Sequence, residues 1–129
     1  MFSNLNVFKT AAALASYAAT RQSTISQNMA NSDTPGYHAK DLPAFNTLYE
    51  ADRPFEMKAT RPGHMQPAAT GFAAETQAVE RPGDESPNGN TVSLETEMVN
   101  AAEVKFSHDM ALTVYKSGLT MLRTSLGRN

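Results

Sequence analysis

The chain has 129 residues, a net charge of -2, and neither cysteine nor tryptophan. That length holds at most one ordinary domain, and the lack of cysteine excludes a disulfide framework, a thiolate nucleophile and a Cys-ligated metal. Charges of both signs are spread along the chain, which argues against nucleic acid or an anionic membrane as the main partner, and a mean hydropathy of -0.43 describes a small chain that is marginal by itself.

Residues from about Leu5 to Met29 read as an amphipathic helix. Val7, Ala11, Leu14, Ala18, Ile25 and Met29 fall near helical spacing, with Arg21 and Gln22 at the one step that lacks an apolar residue. Alanine dominates the run, has the highest helix propensity, and meets no Pro or Gly. An alanine face lets another backbone come close while each contact contributes little area. Composition leaves open whether that face packs in the chain's own small core or is crowded by neighbours in an assembly. Lys9 ahead of Thr10–Ala19 superficially resembles a secretory leader. Such a leader needs a strongly apolar core of about 7–15 residues, and this stretch has one leucine, so no cleaved leader is expected. No stretch approaches the ~18 apolar residues of a membrane-spanning helix.

Asn28-Met29-Ala30-Asn31-Ser32-Asp33-Thr34-Pro35-Gly36-Tyr37 is a stop-and-turn device. Asn31 and Ser32 can bond nearby backbone groups and compete with helix continuation, and Asp33 can start an Asx-turn. Thr34 precedes proline and reads as extended. Pro35 and Gly36 suit the central positions of a type II turn, proline presetting φ and glycine taking φ > 0. Tyr37 offers an amphipathic ring where the chain re-emerges.

Residues 38–90 differ in kind. Pro43, Pro54, Pro62, Pro67, Pro82 and Pro87 lie here with Gly63, Gly71, Gly83 and Gly89, and no helix of ordinary length fits between most of them. Leu42, Phe45, Leu48 and Tyr49 suggest one short helical piece packed on the long helices. Phe55–Ala59 reads as a short extended piece. From about Ala73 to Asn90 a mobile loop is expected, since few residues there could be buried.

A second helix is expected to begin at Ser93, whose hydroxyl can cap, with Glu95 and Glu97 in a first turn where negative charge suits the helix dipole. A seam follows in steps of four and three: Leu94, Met98, Ala101, Lys105, His108, Leu112, Tyr115, Leu119, Leu122 and Leu126, a heptad pattern. Gly127 stands where a helix-ending glycine would, with Arg123 and Arg128 near the negative end of the dipole. The helix would be a rod of roughly 50 Å, and the first helix roughly 40 Å. Lys105 and His108 interrupt the seam. They read either as a snorkelling lysine and a histidine at a solvated edge, or as polar residues that set register against a neighbouring subunit. A pair of helices that each bury one stripe has little margin against chain entropy, so the seam asks for further partners.

No reaction centre is visible. His38, His64 and His108 are scattered, and neither a metal-binding HExxH nor a phosphate loop nor a nucleophile elbow occurs. Glu95 and Glu97 are better explained as helix-start residues than as an acid/base pair. No catalytic residue, cofactor or metal site is therefore assigned.

Gln27-Asn28-Met29-Ala30-Asn31-Ser32-Asp33-Thr34-Pro35-Gly36-Tyr37 resembles the Gln-Asn-x-Ala-Asn-x-x-Thr-Pro-Gly-Tyr motif that ends the first helix of bacterial flagellar axial proteins. The resemblance extends to Glu97-Met98-Val99-Asn100, which is similar to the opening of their C-terminal helix. Where distal rod and hook members carry Arg-x-Tyr-x-x-Asn, this chain has Phe106, His108 and Ala111, which points to the proximal rod family, the FlgB type. Asn88–Glu95 and the pair Thr60 and His64 also match that type. The sister FlgC type is the nearest competitor, and a soluble helical adaptor or chaperone of a type III secretion system is the rival outside the family.

The resemblance implies a mainly α fold, with long N- and C-terminal helices paired as a coiled-coil-like domain and joined by a Pro/Gly-rich, largely irregular middle. The expected division is 1–37 for the first helix and turn, 38–90 for a partly mobile middle, and 91–129 for the last helix. It further implies a structural part of the flagellar rod, the torque-transmitting shaft in the periplasm, exported by the flagellar type III apparatus. Implied partners are other rod proteins, the basal-body adaptor and export gate, and further copies of itself, with no nucleic acid and no membrane insertion. The expected contact residues are Asn28, Asn31, Asp33, Thr34, Pro35, Gly36 and Tyr37 in the turn, and Leu94, Met98, Leu112, Tyr115, Leu119, Leu122 and Leu126 along the seam.

Overall fold

A computed structural model describes residues 2–51 and 77–127. The expected extended piece at Phe55–Ala59, the Thr60 and His64 pair, the first part of the loop expected from Ala73, and Arg128 lie outside the described residues. The elements run α1 (Phe2–Ala30), β1 (Lys40–Asp41), α2 (Phe45–Ala51), β2 (Val79–Glu80) and α3 (Leu94–Ser125). At 1.5 Å rise per residue, α1 and α3 are rods of about 43 and 48 Å.

The two long helices lie antiparallel. Phe8 near the start of α1 meets Tyr115 late in α3, edge to face at 5.3 Å between ring centres, and Asn28 near the end of α1 meets Glu97 in the first turn of α3. Burial follows a heptad on each helix. On α1 it falls on Ala11, Ala18 and Ile25; the span from Ala18 to Ile25 is itself seven residues, so Arg21 and Gln22 interrupt nothing. On α3 it falls on Glu97, Val104 and Ala111. The centre of the core is Ala18, Ile25 and Val104, with Met29 and Ala101 packed against it.

The line that α3 turns toward α1 is therefore displaced from the expected seam. It runs Glu97, Val104, Ala111 and Gly118, whereas Leu94, Met98, Leu112, Tyr115 and Leu122 remain 37–55% exposed and Leu126 80%. The alanine stripe of α1 explains the offset. Small side chains let helix axes come close, and a close approach admits Ala, Val or Gly between the helices but not a row of leucines. Gly118 shows the limit: a Cβ there would lie 2.8 Å from Cζ of Phe8.

The caps follow expectation. Ser93 is the N-cap of α3 and its hydroxyl accepts from the Thr96 amide, with Glu95 and Glu97 in the first turn. Gly127 takes φ +67° just beyond the last turn. The short helix α2 packs on α1 through Tyr17 and Phe45, 5.5 Å between ring centres, and through a 2.8 Å hydroxyl contact of Thr10 with Tyr49. Leu42 is buried just ahead of it.

The late middle holds more structure than expected. β2 pairs antiparallel with β1, Lys40 opposite Glu80 and Asp41 opposite Val79, and Arg81 N–H donates to the Ala39 carbonyl at 2.7 Å. Asn90 is 2% exposed. Sequence composition concealed this because the ties are made by backbone groups and single polar side chains, not by apolar burial.

Candidate functional site

The described residues that do the most specific work gather where α1 ends and α3 begins. Asn28 is fully buried. Its carboxamide nitrogen donates to the Lys40 carbonyl at 2.7 Å and to Glu97 Oε2 at 3.1 Å. Its oxygen accepts from the Lys40 amide at 3.0 Å and from the Tyr37 hydroxyl at 3.3 Å. Both donors and both lone pairs of the side chain are used. Asn28 thus pairs with Lys40 as a neighbouring strand would, and holds the returning chain against α1.

Glu97 is equally buried and does more than the helix-start role that its place in the sequence suggested. Its second oxygen takes a 2.5 Å bond from Arg81 Nη2. Arg81 also reaches Asp41 at 3.7 Å, and Asp41 receives a bidentate pair from Arg21, both bonds 2.8 Å. The order Arg21, Asp41, Arg81, Glu97 alternates in sign, so the buried Glu97 carboxylate is neutralised by Arg81, just after β2, and Asp41 by Arg21 of α1. Burial would raise the Asp41 carboxyl, but hydrogen bonds from Arg21 and the Leu42 amide, with the charges of both arginines, outweigh it and hold the pKa below the usual value. The same contact with Asp41 raises Arg21. Burial pushes the Tyr17 hydroxyl up; it donates to the Pro43 carbonyl at 2.8 Å. Among the described residues, every buried side-chain nitrogen or oxygen has a hydrogen-bond partner.

The Pro-Gly turn forms as its residues require. Tyr37 N–H returns to the Thr34 carbonyl at 3.3 Å and Gly36 takes φ +69°. Asn31 does compete with the helix, its carboxamide donating to the Gln27 carbonyl at 2.8 Å, and Thr34 Oγ1 lies 3.2 Å from Asn31 Oδ1. The turn is also stitched to the segment leading into α3. Gly36 N–H donates to the Asn88 carbonyl at 3.0 Å and Thr91 N–H to the Tyr37 carbonyl at 3.1 Å. Asn90 aims its carboxamide at the carbonyls of Asn31, Ser32 and Thr34, all within 2.9 Å, while its oxygen accepts from Val92 N–H at 2.7 Å. Gly89 takes φ +79°, and a Cβ on it would sit 3.4 Å from Gly36 Cα.

The structure thus joins Asn28, Asn31, Thr34, Gly36 and Tyr37 in one clasp. Asp33 and Pro35 are exposed at its outside. The expected seam residues do not join it: Leu119 is half-buried and the others face outward along α3. Sequence reasoning missed Arg21, Asp41, Arg81 and Asn90. It also missed a second apolar line on α3, Val99, Phe106, Met110 and Met121, which are 59, 71, 47 and 67% exposed. The signal was legible, since Val99, Met110 and Met121 recur every eleven residues, very nearly three helical turns. The clasp's carboxylates are each bound by a guanidinium, an arrangement that holds elements together. Among the described residues no cluster of potential metal ligands occurs, and no helix is long and apolar enough to cross a membrane.

Residues 10–38, the greater part of α1 with the whole turn, match the family model described as flagella basal body rod protein. The chain is 28% identical over 127 residues to a flagellar basal body rod protein FlgB of Agrobacterium fabrum, with 96% of this chain and 95% of the relative covered. It is 31% identical over 108 residues to the protein of the same description in Salmonella typhimurium, covering 78% of each. The counterpart in Cereibacter sphaeroides is also 31% identical over 108 residues, with 83% of each covered.

Proposed function

This chain belongs to the FlgB family of flagellar basal body rod proteins, and from that premise we propose that it is a structural subunit of the proximal rod, one part of the drive shaft of the flagellar basal body. The observation that carries this reading is similarity to FlgB proteins that runs through both long helices and the turn that joins them to the middle. The FlgC type and the soluble adaptor give way to it for the same reason. The chain's work is mechanical, not catalytic. Its long helices lie beside those of other rod subunits, and the clasp fixes the angle at which each pair is presented.

The finer setting belongs to the same proposal. The subunit reaches the periplasm through the flagellar type III apparatus with its N-terminus intact. It seats on the adaptor and export gate at the rod base, and touches neighbours through the Pro-Gly turn and the outward residues of α3.

Deleting the coding sequence should abolish motility and leave basal bodies without a rod. Intact mass measurement on the subunit recovered from isolated basal bodies should show no cleaved leader. Normal rods in the deletion strain would overturn the assignment, and a shortened subunit would overturn the export route.

A further inference from the structure

Between α1 and α3 runs a groove of about 620 Å³, walled by Ala18 and Ala19 on one side and Ala101 and Ala102 on the other, with Lys105 and His108 beside them. It exists because alanine fills so little of the space beside a helix. At 3.6 residues per turn, Phe106 and Met110 stand roughly half a turn around the α3 axis from Ala101, Val104 and His108, while Ala102 at the groove's outer wall is one turn from Phe106. Val99 and Phe106 span the stretch of α3 that walls the groove, so ridge and groove overlap in height and open in different directions.

We propose that the ridge of one copy of this chain seats in the groove of a second copy, with Phe106 and Met110 as the side chains that enter. Three observations favour the chain itself as occupant. The ridge offers bulk where the groove lacks it. Ridge and groove meet when two copies are set side by side, with no need to slide along their axes. Charge is matched: Lys105 lies at the groove, while Glu103 is exposed and, by the helical repeat, projects on the ridge side. Positions two apart on a helix do not face each other, so these two charges meet only across copies. Arg21 feels the Glu103 charge but is bound bidentately by Asp41. Because the two surfaces differ, each added copy leaves one ridge and one groove free, and the contact propagates instead of closing into a two-fold dimer.

This inference rests on the rod reading for its setting, and the test separates the two. A photoreactive benzoylphenylalanine at position 106 is introduced in the otherwise complete chain, and isolated basal bodies are irradiated. Adducts mapped by mass spectrometry should fall on residues 15–25 or 101–108 of a second copy. In parallel, Lys105→Glu and Glu103→Lys are each expected to lower the yield of that adduct about tenfold. The double variant should restore it to within about twofold, because the opposite charges again face each other. A subunit present in basal bodies whose adducts fall on another protein, or a double variant no better than either single one, would overturn the contact and leave the rod assignment standing. A chain absent from basal bodies of motile cells would remove both. Circular dichroism of the purified variants checks that the helices survive; a loss of adduct that accompanies a loss of helix does not count against the contact, and the decision then falls to the position-106 map alone.

Discussion

Four hydrogen bonds converge on the Asn28 side chain. Its four bonds involve Lys40 twice, Glu97 and Tyr37. Asn28→Ala leaves the Lys40 amide and carbonyl and one Glu97 oxygen short of partners in a buried place, at roughly 1–3 kcal/mol for each group left unmatched. Thermal melting should show a drop of several degrees, whereas Tyr37→Phe, which loses only the 3.3 Å bond, should shift the midpoint far less. Asp41 carries a pH signature. Its carboxyl is held below the ordinary 3.8 in the folded chain, so its stabilising contribution is complete above that value and drains away as pH falls below it. Between pH 4 and 2 the native chain should lose stability more steeply than Asp41→Asn. Parallel curves for the two proteins would show that the ion pairs with Arg21 and Arg81 carry no linkage. The motif string placed Asn28 at a functional junction, but its partners could not be read from it. Lys40 and Glu97 are 12 and 69 residues away, and nothing local in a chain marks a carboxamide as the mate of a distant backbone.

Both long helices, their caps and the turn were legible, because propensity, capping chemistry and the Pro-Gly constraint are local. The facing of α3 was not. That helix carries apolar residues on several sides, so more than one stripe satisfies a heptad, and the choice was made by the alanines of α1. Glu97 misled for a related reason: a carboxylate in a first turn is explained well enough by the dipole that its burial under Arg81 leaves no trace in the sequence. Gly118 tests the close approach. A Gly118→Val change places Cβ against the ring of Phe8 and should destabilise the pair by about 1–3 kcal/mol through overpacking. Adding Phe8→Ala should recover part of that loss. Strict additivity of the two changes would show that the ring and the glycine do not share the space.

Among the described residues the molecule is thin in core and rich in outward apolar surface. Its buried apolar residues are mostly alanines with Ile25, Leu42 and Val104, while Phe106, Met121 and Leu126 stand more than 65% exposed. A chain of this kind reaches its full order when neighbours cover those surfaces, since area removed from water is the main favourable contribution to folding. Purified and dilute, it should show helical content below that of the assembled state and a broad, concentration-dependent melt by circular dichroism. A sharp, concentration-independent transition with full helicity would contradict that expectation. The polar clasp differs from the rest of the molecule in this respect, since its bonds are satisfied within one chain.

Asn90 reaches back nearly sixty residues to hold three carbonyls around the Pro-Gly turn. The bend at the end of the first rod is thus written in two instalments, and a polypeptide made from its amino end delivers the latch long after the piece it locks. Until that later instalment emerges, the leading rod stays free to swing and to straighten. The corner is complete only once both instalments are present.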